Sequence, residues 1–351
     1  MNDISYLPEE FEFSHWYCFF LHDQLVETLS SAESANLFNS IIKFKDPSHK
    51  TATEGLSGEE FIKWLEKNGY KSSVISLYYK QLCAALLSDF LHFIHESLQC
   101  SRKGKLTVAY ALLRKPLKEN LFYMEWLLAR PGDFLKRFEG KQTGRFKLPH
   151  TEVSTEPEHI AIIREAMNNT KTGLWIDAEF IHELRFKKKS PISLEPLWQK
   201  ATHLVTTFKH LQTEECNLNF VFSNPDDHYS QWFEYYKTVP ILLFHAVEII
   251  EALLKRFAKR KNESLNIMPL RNIAGMILHF EESPLKIDTN EIATQFKKTF
   301  EEAEIPCPKC ENFFHLHHDN ISSLYQRGSL SCKYGCGEIC LHDLSHINST
   351  R

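Results

Sequence analysis

The sequence predicts a mostly α-helical protein, with a multi-helix body of long antiparallel helices and a small cysteine-rich module at its C-terminal end. In the body, apolar residues recur every three to four positions over several long stretches, which is the spacing of a helix with one buried face. Hydrophobic residues make up 43% of the chain and charged residues 25%, as in typical globular proteins. Five of the nine cysteines lie between positions 307 and 340, so the C-terminal segment differs from the body in its high cysteine content.

The first predicted region covers residues 1–138 and is helical. Within residues 1–45, an aromatic-rich segment predicts one or two helices whose aromatic face packs in the core. Ser57 is a residue type that caps helix N-termini. It precedes a group of apolar residues that we assign to one short helix, namely Phe61, Ile62, Trp64 and Leu65.

Two long helices are predicted at the centre of this region. The first starts at Ser72 or Ser73 and ends near Cys100, and the second starts at Leu106. Because only a short basic turn separates them, we expect them to lie antiparallel. Pro116 falls inside the second helix and should bend it, since proline lacks a backbone N–H and its ring clashes with the preceding turn.

Glycines and a proline between residues 139 and 156 predict a linker to a second helical region, residues 157–303. Segment 217–222 fits either a short strand or a loop. The most apolar window, 239–254, is short and contains charged residues, so no membrane-spanning segment is predicted. The helices predicted in this region are 157–169, 176–186, 193–208, 229–259 with a bend at Pro240, 269–280 and 288–303.

The C-terminal module, residues 304–351, carries the strongest chemical pattern in the sequence. Cys307 and Cys310 are separated by two residues, and Cys332 and Cys336 by three. Two pairs of thiolates on tight turns supply the four corners of a tetrahedral zinc site. The sequence therefore predicts one bound Zn²⁺ in this module.

The identity of the fourth ligand has alternatives. Cys340 lies as far from Cys336 as Cys336 lies from Cys332. We prefer Cys332 paired with Cys336, because Gly337 then directly follows the second ligand, as zinc knuckles usually require. The alternative ligands are Cys340, His318 and His342.

The module resembles zinc ribbons, in which two knuckles of this kind lie on a small sheet. Pro308 fixes the first turn, while Gly335 and Gly337 allow the positive φ angles that turn backbone N–H groups toward sulfur. The resemblance covers only this terminal segment. It implies a structural metal, because four thiolates leave no open coordination position for a substrate.

The net charge of −4 excludes electrostatic binding of nucleic acid by the molecule as a whole, so any such binding needs a local basic face. The candidate nucleic-acid contacts are Lys187, Lys188, Lys189, Lys255, Arg256, Lys259 and Arg260. Solvated helix ends and turns would explain the same basic segments.

The N-terminal sequence lacks the positive start and apolar core of a signal peptide, so we expect a cytoplasmic protein with reduced thiols.

A second reading rests on Arg145 and His150, which are separated by four residues. This spacing is similar to the active motif of helical HEPN ribonucleases, in which such a pair attacks and stabilises an RNA phosphate. The resemblance implies Arg145 and His150 as catalytic candidates. In that family the motif lies on a helix, whereas Gly144 and Pro149 favour a loop here.

Two predicted helices also carry carboxylates and histidines at helical spacing. Asp89, His92 and Glu96 share one face, and His245 and Glu248 are three residues apart. This arrangement resembles half of a carboxylate-bridged metal site in a helical bundle. A solvent-exposed helix face with polar residues would show the same spacing without binding a metal.

Taken with the cysteine pattern, these observations favour a non-enzymatic protein that binds Zn²⁺ and contacts nucleic acid or a protein partner. The alternative is a HEPN-like helical ribonuclease of the toxin or defence type. A third reading is a ribbon that only closes the helical core. The sequence contains no Gly-rich phosphate loop, serine elbow or dinucleotide fingerprint.

Overall fold

The computed structural model describes residues 5–138, 155–170, 176–257 without 208, 210 and 222, 267–284, positions 294, 298, 300 and 301, 305–316 and 318–341. Within these residues the protein is mostly helical, and a single two-stranded antiparallel sheet lies near the C-terminal end. The predicted mostly α fold is confirmed.

A short 3₁₀ turn, Glu9–Phe11, leads into the helices of the body. These helices are α1 (Glu12–Ser34), α2 (Pro47–Thr51), α3 (Gly58–Lys67), α4 (Lys71–Arg102), α5 (Leu106–Arg114), a π-helical turn (Lys115–Asn120), α6 (Leu121–Ala129), α7 (Pro131–Phe138), α8 (Glu156–Met167), α9 (Ala178–Phe186), α10 (Glu195–Thr202), α11 (Pro225–Lys255) and α12 (Met268–Glu282). The C-terminal lobe contains α13 (His318–Arg327), β1 (Ser329–Cys332) and β2 (Gly337–Cys340).

Helices α1, α4 and α11 meet at the centre of the body. The hydroxyl of Tyr236 on α11 lies 2.8 Å from His15 Nδ1 on α1 and 3.0 Å from Ser101 Oγ on α4. One apolar cluster runs from Leu7 to Phe280 and includes residues of both predicted helical regions. Most of the predicted linker, 139–156, lies outside the described residues, and the division of the body stays a prediction.

The first long helix and the helix after it lie antiparallel, as predicted. Ser97 Oγ donates a hydrogen bond to the carbonyl oxygen of Ala109 at 2.8 Å, and Asn120 Nδ2 donates to Asp89 Oδ2 at 2.6 Å. Later residues of α5 and the π turn therefore contact earlier residues of α4, which is the arrangement of antiparallel helices. Pro116 lies in that π turn, which divides the predicted helix into α5 and α6.

Helices α3 and α11 each begin at a capping box. Ser57 and Glu60 form the capping box that begins α3, which confirms the predicted cap. Asn224 and Asp227 form a second capping box, so α11 starts at Pro225, four residues before the predicted start. Pro240 is accommodated inside this helix.

The predicted helix 193–208 was too long, because α10 ends at Thr202. Beyond it, Asn219 Nδ2 donates to the carbonyl oxygen of His203 at 2.8 Å, and Thr213 Oγ1 accepts from the backbone N–H of Thr206 at 2.8 Å. These side chains take backbone groups that a longer helix would need. The described part of segment 217–222 belongs to this loop, and most of the predicted helix 288–303 lies outside the described residues.

The C-terminal lobe packs against α12. Ile277 and Leu278 of α12 join Leu324 of α13 and Leu330 of β1 in a second apolar cluster. Helix α13 was not predicted, and before it Pro306 and Phe313 form an isolated antiparallel bridge. The lobe therefore combines the predicted small sheet with an added helix.

Candidate functional site

The structure brings the sulfur atoms of Cys307, Cys310, Cys332 and Cys336 into one group. All four lie within 4.8 Å of one another, and Cys310 Sγ lies 3.7 Å from Cys332 Sγ. Four thiolates bound to one zinc ion at the usual bond length of about 2.3 Å would be about 3.8 Å apart. The group is thus compact enough for one tetrahedral metal ion.

The first pair of cysteines lies on a tight turn. The backbone N–H of Cys307 donates to the carbonyl oxygen of Asn312 at 2.8 Å, and the N–H of Glu311 donates to the carbonyl oxygen of Cys307 at 2.9 Å. Glu311 has a positive φ of 62°. This turn closes the four-residue segment so that both sulfurs face the second pair.

The second pair lies at the tip of the β1–β2 hairpin. Cys332 ends β1 opposite Gly337, which begins β2, and Cys336 lies in the turn between them. Gly335 and Gly337 have positive φ angles of 81° and 88°, as the sequence predicted. Lys309 Nζ donates to the carbonyl oxygen of Cys336 at 2.9 Å and so links the two turns.

Asn320 on α13 supports the hairpin and was missed by sequence reasoning. Its Oδ1 accepts from the backbone N–H of Ser331 at 2.9 Å, and its Nδ2 donates to the carbonyl oxygen of His315 at 3.1 Å. Asn320 is almost fully buried. The residue therefore fixes the strand that carries Cys332, although no local pattern in the sequence marks it.

The thiols interact strongly with one another. The backbone N–H of Asn312 lowers the pKa of the Cys310 thiol to about 6, and hydrogen bonds from neighbouring cysteines assist. The hydrogen bond with Cys310 raises the pKa of the Cys336 thiol to about 12. Such a group of thiols stabilises one negative charge, whereas a divalent cation allows all four to ionise. The donor set fits a metal ion that prefers sulfur.

Of the alternative ligands, Cys340 is the one with a described side chain, and it is not part of this group. Among the described residues, Cys340 lies outside the four-sulfur cluster and is paired along the hairpin with Ser329. His342 lies outside the described residues, as does the side chain of His318.

Three of the predicted basic residues line one cleft. Lys187, Lys188 and Lys189 follow α9, and Arg114 and Lys118 complete the cationic part of the lining. The cleft has a volume of about 750 Å³. Arg114 and Lys118 come from a distant part of the sequence, so a linear pattern cannot reveal them.

Two other predicted basic residues, Lys255 and Arg256, form separate contacts. Lys255 Nζ pairs with Glu251 at 3.7 Å, and Arg256 donates to the carbonyl oxygen of Leu128 at 2.6 Å. Arg256 thus stabilises a helix end, and neither residue belongs to the cleft lining. The remaining two candidates, Lys259 and Arg260, lie outside the described residues.

The catalytic candidates of the HEPN-like reading, Arg145 and His150, also lie outside the described residues, and that reading stays a prediction.

The carboxylates and histidines on the long helices do not form a metal site. Asp89 pairs with Lys115 at 2.8 Å. His245 donates instead to the buried carboxylate of Glu125, with 2.7 Å between Nε2 and Oε1. Within the part of the chain that the structure describes, the four-cysteine group is the one cluster suited to a metal.

A buried charge pair lies beside His245. Arg185 contacts both carboxylate oxygens of Glu125 at 2.8 Å, and both side chains are fully buried. Burial opposes ionisation of Glu125, but the charge of Arg185 and the hydrogen bond from His245 keep its pKa below the usual value. Burial lowers the pKa of His245, which leaves the imidazole neutral. Sequence reasoning missed this pair because its members are 60 positions apart.

Over the described residues, every helix is too short or too polar to cross a membrane. Comparison with protein-family models, with curated proteins and with solved structures found no match to this chain.

Proposed function

We propose that Cys307, Cys310, Cys332 and Cys336 hold one Zn²⁺ and that this metal is structural. The observation that carries the proposal is the single group of four sulfurs at the contact of two tight turns. Four protein ligands saturate a tetrahedral zinc ion, so no position remains for substrate or water. Cys307 and Cys332 belong to the apolar cluster of the lobe, which links metal binding to the packing of that lobe on α12.

The lobe has a small apolar core, and small modules usually need a metal or disulfides for stability. Structural zinc contributes on the order of 10 kcal/mol or more to the folding of such modules. We therefore expect the hairpin and its neighbouring turns to depend on the ion, while the helices of the body depend on their own core.

The test compares Cys336→Ser with Cys340→Ser, because both cysteines lie on the hairpin and only Cys336 belongs to the four-sulfur group. Elemental analysis of the purified chain should give one zinc for the wild type and for Cys340→Ser, and much less for Cys336→Ser. A folded wild-type lobe without zinc, or iron in its place, would contradict the assignment of the metal.

We propose further that the protein is a non-enzymatic binding protein of the cytoplasm and that its partner is nucleic acid. The support is the cleft lined by Lys187, Lys188 and Lys189 together with Arg114 and Lys118. Cations grouped on one surface neutralise phosphates even when the net charge of the molecule is negative. A protein partner stays the second prediction for the same chain.

The binding proposal is tested with a fluorescent ten-nucleotide single strand at several salt concentrations. Affinity should fall steeply as salt rises, because each neutralised phosphate releases condensed counterions. Absence of measurable affinity at low salt would reject nucleic acid as the partner and leave the zinc assignment intact.

A further inference from the structure

The cleft beside Lys187–Lys189 has the size of a small-ligand site. Its walls come from the end of α5, the π turn, α8 and α9 with the turn that follows α9. A volume of about 750 Å³ is within the range of small-molecule pockets. Five cationic and three carboxylate side chains line it, so its walls carry a positive excess.

The cations of the cleft differ in how firmly they are held. Lys118 Nζ lies 2.6 Å from the buried carboxylate of Glu195, which fixes this ammonium group in position. Lys187 Nζ lies 3.6 Å from Glu156, and both side chains of that pair are about half exposed. Exposed pairs of this kind contribute little to stability, so an entering anion can replace the carboxylate. Lys189 forms no ion pair with the described residues and is exposed.

Aromatic rings form the apolar part of the cleft. The ring of Phe186 lies 4.9 Å from His159 and 5.0 Å from His182, measured between ring centroids. The centroids of the two histidine rings are 5.8 Å apart. Flat unsaturated groups such as nucleobases bind on aromatic side chains next to cations.

His182 provides a polar group inside this aromatic layer. Its side chain is only 3% exposed, and its Nδ1 has no hydrogen-bond partner among the described residues. Of the buried groups that lack a partner, His182 is the one in the lining of this cleft. Burial, with help from the charge of His159, lowers the pKa of His182 to about 4. A neutral imidazole can donate one hydrogen bond and accept another.

We propose that this cleft binds one nucleotide, either free or within a single strand, with its phosphate on the lysine and arginine side chains and its base against the aromatic layer. The imidazole of His182 supplies a hydrogen bond to the bound nucleotide. The inference rests on the proposed binding of nucleic acid and assigns it a position and a ligand unit. A duplex is a poor ligand for the cleft, because its bases are stacked inside the helix.

The first test is the triple variant Lys187→Gln, Lys188→Gln, Lys189→Gln. Its control is Lys63→Gln, Lys67→Gln, Lys71→Gln, which removes the same charge from exposed positions outside the cleft. For a ten-nucleotide strand, the cleft variant should bind at least tenfold more weakly at low salt. Its slope of log affinity against log salt should flatten by about 0.7 for each phosphate contact that is lost. The control should keep most of the wild-type affinity.

The second test is His182→Leu, which removes a hydrogen-bonding group without changing the charge at neutral pH. We expect affinity for the strand to fall by about three- to tenfold, the loss typical of one hydrogen bond. The salt slope should stay at the wild-type value, because no phosphate contact is lost. Circular dichroism and thermal unfolding establish whether each variant is folded. If His182→Leu is not folded, the lysine variants alone decide the proposal.

The source of the nucleotide is distinguished by competition with adenosine monophosphate and by a ten-base-pair duplex. Release of the strand by micromolar mononucleotide supports the cleft and identifies a free nucleotide as its ligand. Release only at millimolar concentration, with weaker binding of the duplex, supports the cleft as a single-strand site. If the wild type binds the strand while the cleft and control variants bind equally well, the cleft is overturned and nucleic-acid binding stands. If the wild type binds neither strand nor mononucleotide, both proposals are overturned.

Discussion

At the scale of single residues, Arg185 and Glu125 form a fully buried ion pair in the body. The guanidinium contacts both carboxylate oxygens, and Arg185 Nη1 also donates to the carbonyl oxygen of Leu117 at 3.2 Å in the π turn. His245 satisfies the carboxylate from the other side. The pair therefore connects α9, α6 and α11 at the point where Pro116 interrupts the regular helix.

Removing one member of this pair should be strongly destabilising. Arg185→Met leaves the carboxylate of Glu125 buried without its main counter-charge, and such losses cost about 3–5 kcal/mol. Arg164→Met is the matched control, because Arg164 pairs with Glu179 on the surface with both side chains about half exposed. Its effect should stay within about 1 kcal/mol. Free energies of unfolding from urea titration give the comparison, and equal losses for the two variants would contradict the role assigned to the buried pair.

At the scale of elements, the docking of the lobe depends on close approach at α12. A Cβ atom added to Gly275 would lie 2.5 Å from Tyr17 on α1 and 2.8 Å from Tyr325 on α13. Tyr17 is fully buried and donates to the carbonyl oxygen of Asn272 at 2.7 Å, so its ring has little freedom to move. Helix α12 thus contacts the body on one side and the lobe on the other, and Gly275 permits both contacts.

Gly275→Ala should therefore destabilise the protein, although alanine is the better helix former. Overpacking costs about 1–3 kcal/mol, against a gain of up to about 1 kcal/mol in helix propensity. Gly132→Ala in α7 is the control, because an added Cβ meets nothing within 4 Å there. Thermal unfolding should show a lower melting temperature for Gly275→Ala and an unchanged or higher one for Gly132→Ala. A stabilised Gly275→Ala variant would show that α12 and its neighbours are less tightly packed.

The elements also show which features a single sequence can predict. Long helices such as α4 were predicted because their signal is a local apolar period, and the Ser57 cap is equally local. The cysteine group was predicted because each pair lies on one turn. In contrast, the loop after α10 depends on a contact of Asn219 with backbone 16 positions earlier in the chain. The cleft likewise joins Arg114 to the turn after α9 only in the folded chain. Helix α13 was missed although Ile321, Leu324 and Tyr325 give it a local apolar period.

At the scale of the whole molecule, buried neutral histidines are distributed over several elements. His15 lies on α1, His182 on α9 and His279 on α12, and each is at most 3% exposed. Burial lowers the pKa of His279 to about 3, and burial with the nearby charge of Arg102 lowers that of His15 to about 4. The pKa of His182 is lowered to about 4 in the same way. The folded chain therefore binds fewer protons than the unfolded chain in mildly acidic solution.

This difference predicts a loss of stability as the pH falls. The unfolded histidines take up protons below pH 6.5, whereas the folded ones stay neutral until about pH 4 or 3. The contribution of these histidines to the free energy of unfolding should therefore be constant above pH 6.5. Below pH 6.5, each histidine should lower the free energy of unfolding by up to about 1.4 kcal/mol per pH unit.

The variant His279→Gln isolates one of these contributions. Its free energy of unfolding should fall less steeply between pH 6.5 and 5 than that of the wild type, by about 2 kcal/mol over this range for a single histidine. His203→Gln is the control, because His203 is exposed in the loop after α10. Urea titrations at each pH, carried out on chains with the same metal content, compare the three proteins. The prediction is wrong if His279→Gln keeps the full acid sensitivity of the wild type, since burial of the neutral imidazole would then contribute nothing to the pH dependence.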